Sequence, residues 1–296
     1  MKKEVGNAVC AGFVSYNPDV DLLKKAINAI SFQVEKVLVV DNGSVNIESI
    51  DIICRCFENV EIIRKDKNLG IACALNTIGE YALKNNYEWF LTLDQDSVCD
   101  CKMIERYLQY VKNGEIGMIC PRIGLRIHKL SEVKVTKTVE DVTLTITSGC
   151  LVNVNAWQQA GYFWNYLFID KVDDDFCFAL RNCGKKILKV NDVVLEHEIG
   201  NPQKHSFFGR TFYTDAYTDF RYYYIARNTI IVNKCYKNTG YNLYHIFLIR
   251  ILKILLGETG KIGKLVSLYK GIIAGVKWGK EYGVRGVPSQ VERKNV

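Results

Sequence analysis

The stretch WFLTLDQDSV, Trp89 to Val98, decides how this chain is read. Its first five residues are apolar or β-branched, the pattern of a short strand buried on both faces. Such a strand should hand over to a turn residue, yet this one runs into Asp94-Gln95-Asp96. Strand side chains alternate with period two, so D-x-D at a strand end sends two carboxylates to one side of the chain. Carboxylates so close repel each other unless a cation sits between them or one takes a proton. Hard cations such as Mg²⁺ or Mn²⁺ take oxygen ligands, commonly one or two carboxylates plus substrate phosphates. The plainer alternative is a solvated turn in which Asp96 caps the next helix.

Upstream of that stretch, strand and helix patterns alternate. Ala8–Ser15 is a strand candidate, and Asp21–Ile30 has helical apolar spacing at Leu22, Leu23, Ala26, Ile27 and Ile30. VEKVLVVDNGS holds a second strand ending at Asp41, with a turn at Asn42-Gly43, and VEIIRKDKN a third. GIACALNTIGEYALKN is a helix by the same periodicity. Apolar strands separated by amphipathic helices predict βαβ units and an α/β fold, with a mostly parallel central sheet flanked by helices. Ligands of such sheets bind beyond the carboxyl ends of the strands. Asp41, Asn68 and the Asp94/Asp96 pair all fall at or just after those ends.

Downstream of about Asn113 the pattern shortens to β-like runs, IGMICPRI and EVKVTKTVEDVTLTITSGCLVN, followed by the aromatic and acidic GYFWNYLFIDKVDDDFCFALRNCG. This half is expected to complete the same site with a mixed sheet and long loops. From Tyr241 the chain reads as two amphipathic helices, apolar on one side and rich in Lys and Arg on the other. Their longest uncharged apolar run, Ile246–Ile249, is far below a membrane span, so they are predicted to lie on a membrane surface rather than cross it. The expected organisation is a domain over residues 1–240, with a nucleotide-binding half (1–112) and an acceptor and catalytic half (113–240). A basic helical tail follows over 241–296.

The totals agree with one sizeable core: 296 residues, 48% hydrophobic, and only four prolines. The opening MKKEVGNAVCAGFVSYNP suits a first strand better than a signal peptide, and eleven cysteines then point to a reducing, cytoplasmic compartment. Cys54/Cys56 and Cys99/Cys101 lack the CxxC spacing of zinc sites. The net charge of +7 is concentrated from Lys234 onward, which leaves nucleic acid, an anionic membrane surface or plain solvent as the partner of that segment.

Eight ordered segments resemble the family 2 GT-A glycosyltransferases, and within them the bacterial rhamnosyltransferase-like group. The resemblance covers about Ala8 to Tyr236. VSYNP (Val14–Pro18) is similar to the family's opening strand and turn, VVDNGS (Val39–Ser44) to its nucleotide-base loop, and NLGIACALN (Asn68–Asn76) to the flank of the nucleotide pocket. LDQDS is its D-x-D, SGCLVN (Ser148–Asn153) its cleft-lining strand, and FIDKVDDDFCFALRNCG its catalytic acidic motif. LEHEIGNP and YYYIARN stand in the places of a late histidine and a Tyr/Arg-Asn segment.

The resemblance implies an inverting glycosyltransferase that uses Mg²⁺ or Mn²⁺. Asp94 and Asp96 would hold the metal against the donor's diphosphate, with His197 either a further ligand or a satisfied histidine at the sheet edge. Lining up VDDDFC with the family pattern puts the general base at Asp173 and a second acidic position, in the substrate pocket, at Asp175. Val172 stands where an acid is common and Asp174 adds a third carboxylate, so a shift by one would make Asp174 the base. Asp41 would accept a hydrogen bond from the pyrimidine base, with Ser15, Tyr16 and Asn17 beside the nucleotide. Asn68, Gly70, Ser148 and Gly149 would line the donor and acceptor pocket. Arg227 would pair with diphosphate oxygens or form a surface ion pair, and Lys67 is open in the same way.

The expected donor is dTDP-L-rhamnose, with UDP-hexoses or UDP-galactofuranose as alternatives. The expected acceptor is a glycan or polyprenyl-diphosphate-linked glycan of O-antigen or capsule assembly. The chain is placed peripherally on the inner leaflet, which attracts its basic tail. A non-catalytic membrane- or nucleic-acid-binding module is the more distant reading; the clustered acids repel nucleic-acid phosphate and disfavour it. A nucleotidyltransferase should carry a Gly-rich phosphate loop near the first strand, and GFVSYNP is not one.

Overall fold

The computed structural model describes residues 9–112, 114–125, 137–197, 203–207 and 209–281. Strands β1 (Val9–Ser15), β2 (Lys36–Asp41), β3 (Val60–Arg64) and β4 (Trp89–Asp94) pair in parallel in the order β3-β2-β1-β4. Helices α1 (Val20–Ser31), α2 (Ile47–Cys54) and α3 (Ile71–Lys84) make the crossovers. The helix expected over 21–30 extends by one residue at each end, started by Asp19, whose carboxylate accepts the Leu22 N–H at 3.0 Å.

All seven residues of β1 are buried, because helices cover both faces of the sheet. Alternate residues enter two separate clusters: Cys10 and Val14 join the α3 side, while Val9, Ala11 and Phe13 join the α1 side. A strand solvated on one face would alternate polar and apolar; this one has no reason to.

The second half adds β5 (Val98–Cys99), α4 (Met103–Leu108), β6 (Ile116–Leu125), β7 (Val139–Asp141), β8 (Cys150–Asn153), α5 (Val154–Gln159), α6 (Val172–Asn182) and β9 (Lys186–His197). Strand β8 runs antiparallel between β4 and β6, β9 runs parallel to β6, and β5 and β7 pair antiparallel with β9. Among the described residues the sheet has nine strands and is mixed beyond β4, as expected. The long β-like run read from the sequence yields only β7 and β8 between Lys137 and Asn153. Between them the backbone turns to serve two acids, and Gly149 takes φ +78°, so no ladder forms there.

A hairpin of β10 (Gln203–Phe207) and β11 (Arg210–Thr214) leads into α7 (Asp219–Cys235), α8 (Leu243–Gly257) and α9 (Lys261–Glu281). Helix α7 is buried around most of its circumference, from Tyr222 to Val232. Helix α9 lies along it at backbone distance: a Cβ at Gly271 would meet the Tyr223 carbonyl oxygen at 2.3 Å, and one at Gly275 the Arg227 carbonyl oxygen at 2.8 Å.

Candidate functional site

Beyond the carboxyl ends of β1, β2 and β4 opens a cleft of about 420 Å³. Tyr16, Asn42, Asn68 and Gly70 form one wall, Asp94, Gln95 and Asp96 the floor, and Phe168, Ile169, Tyr217 and Arg221 the far wall. A larger groove of about 640 Å³ on the outside of β7 and β9 contains none of the expected site residues.

The D-x-D turn is built by its neighbours. Asp94 ends β4, its carbonyl accepts the Ser97 N–H at 3.1 Å, and the chain then enters β5. Asp96 therefore does not cap a helix: α4 begins after Lys102, and the Lys102 N–H is taken by Asp100 at 2.9 Å. The middle residue is used too, since Gln95 Oε1 accepts the Tyr16 N–H at 2.8 Å and ties the floor to the end of β1. Pairing of Val98 with Glu196 brings the end of β9, where His197 lies, opposite this turn. The His197 side chain is outside the described residues.

One dipeptide, Thr147-Ser148, holds both acidic elements. Ser148 Oγ accepts the Asp94 N–H at 3.0 Å and bonds Ser97 Oγ at 2.8 Å. Thr147 donates its hydroxyl at 2.7 Å and its N–H at 3.3 Å to Asp173 Oδ1. Sequence reasoning named Ser148 but missed Thr147, whose only signal was its position before the SGC motif. Asp173 opens α6 and keeps a narrow contact with solvent, yet burial pushes its pKa up to about 7. The Thr147 bonds oppose that rise, and the charges of Asp94 and Asp174 add to it.

The other two acids of the run are engaged elsewhere. Asp174 Oδ2 accepts Lys171 Nζ at 2.6 Å and the Tyr241 hydroxyl. Asp175 is fully buried and accepts the Tyr236 hydroxyl at 2.8 Å, so it faces the end of α7 instead of the pocket expected for it. Ser148 and Gly149 are likewise buried and shape the cleft from behind.

On the nucleotide side, Ser15 and Asp41 are direct partners across β1 and β2 and both are buried. Asp41 Oδ2 accepts the Gly43 and Ser44 N–H groups at 3.1 and 3.0 Å. Its Oδ1 and the Ser15 hydroxyl are buried with no hydrogen-bond partner among the described residues. Asn17, at φ 47°, accepts the Val45 N–H at 2.8 Å and its own N–H bonds Ser44 Oγ at 2.8 Å, closing the turn over Asp41. Asn68 accepts the Gly70 N–H at 2.9 Å. Gly70 sits at φ +89°, and a Cβ there would lie 2.6 Å from the Phe168 carbonyl oxygen, so only glycine lets the two walls meet.

The far wall corrects one expectation. The Arg227 guanidinium is buried, donates to the Tyr166 and Leu167 carbonyls, and stacks on Tyr166 and Tyr224. It reaches neither the cleft nor the surface. Asn228 beside it donates to the carbonyls of Leu167, Ile169 and Asp170 at 2.8, 2.8 and 2.9 Å. Together they clamp a strained loop in which Phe168, Asp170 and Lys171 all have positive φ. Among the described residues the cation lining the cleft is Arg221, which the sequence reading passed over. It pairs with Asp170 through Nε and Nη2 at 3.1–3.2 Å and stacks on Tyr217 at 4.1 Å.

Two carboxylates on one cleft floor fit a hard divalent cation that completes its shell with water and phosphate oxygens. Among the described residues no group of three or more His, Cys, Asp or Glu side chains forms a closed protein cage, which such a cation does not need.

The family model for glycosyl transferase family 2 matches residues 12–181, more than half of the chain. The chain is 27% identical over 208 residues to the dTDP-rhamnosyl transferase RfbF of Shigella flexneri, covering 65% of this chain and 70% of that one. In structure it is similar to S. aureus TarS 1-349, with a TM-score of 0.60 at 14% identity over 91% of this chain and 81% of TarS. It is also similar to GalNAc-T7 crystallised with UDP, GalNAc and Mn²⁺, with a TM-score of 0.53 at 12% identity over 68% of this chain and 44% of that one. With its parallel β3-β2-β1-β4 half, acids at the strand ends and a desolvated carboxylate at the start of α6, the chain is a glycosyltransferase of GT-A fold and belongs to glycosyl transferase family 2.

Proposed function

We propose that this enzyme transfers L-rhamnose from dTDP-L-rhamnose, with inversion, to a glycan acceptor carried on polyprenyl diphosphate in surface-polysaccharide (O-antigen or capsule) assembly. The observation that carries the transfer chemistry is the pairing of Asp173 with the Asp94/Asp96 floor through Thr147-Ser148. Similarity to RfbF supports the donor. This chemistry is assigned to residues 1–240, acting on the cytoplasmic side of the membrane, with 241–296 as a basic tail.

Inversion in one displacement needs one base. Asp173 is the carboxylate poised to take the acceptor's proton, because its pKa near 7 makes it a proton acceptor of useful strength. Asp174 is less suited: Lys171 neutralises it. A divalent cation held by Asp94 and Asp96 would stabilise the charge that builds on the leaving diphosphate. Asp41 Oδ1 is the acceptor kept for the pyrimidine N–H, since a buried carboxylate oxygen without a partner costs stability unless a ligand supplies one.

Arg221 is assigned to the donor's diphosphate. Its fork matches paired phosphate oxygens, and it can exchange Asp170 for them. Arg221→Gln is expected to weaken donor binding by roughly tenfold, the worth of one charge-assisted hydrogen bond. Isothermal titration reads this directly, and unchanged affinity sinks the assignment.

The test of the whole reading is a thermal-shift panel of dTDP-L-rhamnose, UDP-glucose, UDP-galactose and UDP-galactofuranose, each with Mn²⁺ and with EDTA. A ligand that binds only the folded state raises Tm by mass action. The expected result is a metal-dependent rise with dTDP-L-rhamnose alone. A rise with one UDP-sugar instead reassigns the donor, and no rise with any donor removes the transfer reading.

A further inference from the structure

The outer face of α8 and α9 presents an apolar surface that sugar transfer does not use. On α9, Ile262, Val266, Tyr269, Ile273 and Val276 recur at four- and three-residue steps and are 39–80% exposed. On α8, Leu248, Leu252 and Leu255 repeat those steps, with Ile249 and Leu256 beside them, all 39–45% exposed. A folded protein rarely leaves so many large apolar side chains of two neighbouring helices in water unless something covers them.

The opposite faces of the same helices are fixed to the catalytic half. Ile254 of α8 and Leu268 of α9 are buried with Tyr222 and Ala226 of α7. Glu258, between the two helices, is buried and accepts Lys264 Nζ at 2.7 Å and the Tyr222 hydroxyl. The apolar surface is therefore an outward face of a docked helix pair, set at a fixed attitude to the cleft.

Its charge names the partner. From Leu243 to Glu281 the sequence has seven Lys or Arg and two Glu, and Lys264 and Glu258 neutralise each other inside, leaving six cations to one Glu. Lys261, Lys270 and Lys277 are exposed and stand next in sequence to the stripe residues Ile262, Tyr269 and Val276, bordering the apolar band with positive charge. Two copies of this face packed together would set those borders against each other, a like-charge cost. Anionic headgroups neutralise them instead. No helix among the described residues is long and apolar enough to cross a membrane.

We propose that the outer face of α8 and α9 docks flat on an anionic bilayer, with the apolar stripe in the headgroup–acyl boundary and the lysines on the headgroups. The placement serves the cleft. The first turn of α9 lies against the first turn of α7, where a Cβ at Gly263 would be 2.2 Å from Asp219 Oδ2. The cleft-lining Tyr217 and Arg221 each lie two residues from Asp219. Docking therefore brings that wall of the cleft close to the lipid surface; this use of the face rests on the proposed lipid-linked acceptor, whereas the docking itself does not.

The test is flotation of the full chain, without donor, with vesicles of phosphatidylcholine alone or mixed with phosphatidylglycerol. The wild type is expected to float with the mixed vesicles only. Lys270→Gln/Lys277→Gln should weaken that binding about 25-fold at low salt, taking each cation near the surface as about fivefold. Leu252→Asp/Ile273→Asp, at exposed positions, should abolish it while keeping the wild-type melting temperature. The proposal is overturned if the wild type ignores phosphatidylglycerol, or if both variants bind as the wild type does. It is equally overturned if the wild type sediments as a dimer that Leu252→Asp/Ile273→Asp separates and no vesicle binds, which gives the face to a second copy. Flotation without any donor-induced rise in Tm supports docking and removes the transfer reading; a donor response without flotation does the reverse.

Discussion

Asp173→Asn is expected to lower kcat for sugar transfer about a thousandfold while donor affinity stays within a few-fold, the signature of a lost general base. The substitution keeps the size of the side chain and an acceptor for the Thr147 hydroxyl, so the turn that also holds Asp94 should survive. Asp174→Asn should cost only a few-fold, because that carboxylate is already committed to Lys171 and Tyr241. Steady-state rates of the two variants decide between the two registers of the acidic run: a larger loss at Asp174 reverses the assignment.

The same group fixes two pH dependences of opposite sign. Asp173 works as a carboxylate, so kcat/KM should climb to a plateau above a pKa of about 7, and Asp173→Asn should lose that limb. For stability, the folded-state pKa of about 7 lies above the ordinary unfolded value. The folded state therefore holds the extra proton between the two, and stability falls as pH rises through that window. At pH 8 the wild type carries a poorly solvated charge that Asp173→Asn lacks. The variant should melt a few degrees higher there, with the gap closing toward pH 4. A variant that is slower yet more stable is the mark of a residue kept for chemistry.

Asp96→Ala is expected to remove the Mn²⁺ dependence of the donor-induced thermal shift and to cut kcat/KM by about a hundred- to a thousandfold. That is the usual scale for losing stabilisation of charge that develops in a transition state. The fold should survive, because the β4–β5 turn rests on the Asp94 carbonyl, on Ser148 and on Gln95, none of which the change removes. The variant should therefore still melt in a cooperative transition without donor. Retained Mn²⁺ dependence in Asp96→Ala would take the metal away from the D-x-D floor.

Local pattern alone determined a good deal of this protein. Three strands buried on both faces, the edge strand β3, α1, α3 and the two tail helices are legible because hydrophobic periodicity is a property of neighbouring residues. The D-x-D lies on the cleft floor because a parallel strand must deliver its last residues to the carboxyl edge of the sheet, whatever the rest of the chain does. Asp173 was legible by resemblance of its motif, with Asp174 left open beside it.

Tertiary structure decided the rest, and in each case the reason is a contact between distant segments. Helix α7 shows no amphipathic stripe because the catalytic half and α9 bury it from both sides, so its sequence offers no polar face to read. Arg227 and Arg221 are six positions apart on that helix, and only packing sends one guanidinium onto loop carbonyls and the other onto the cleft. Thr147 looks like any threonine until Asp173 arrives 26 residues later to receive its hydroxyl. Periodicity tells which side of an element is buried; what it is buried against depends on the whole chain, and the protonation, pairing and reach of its charged groups follow from that.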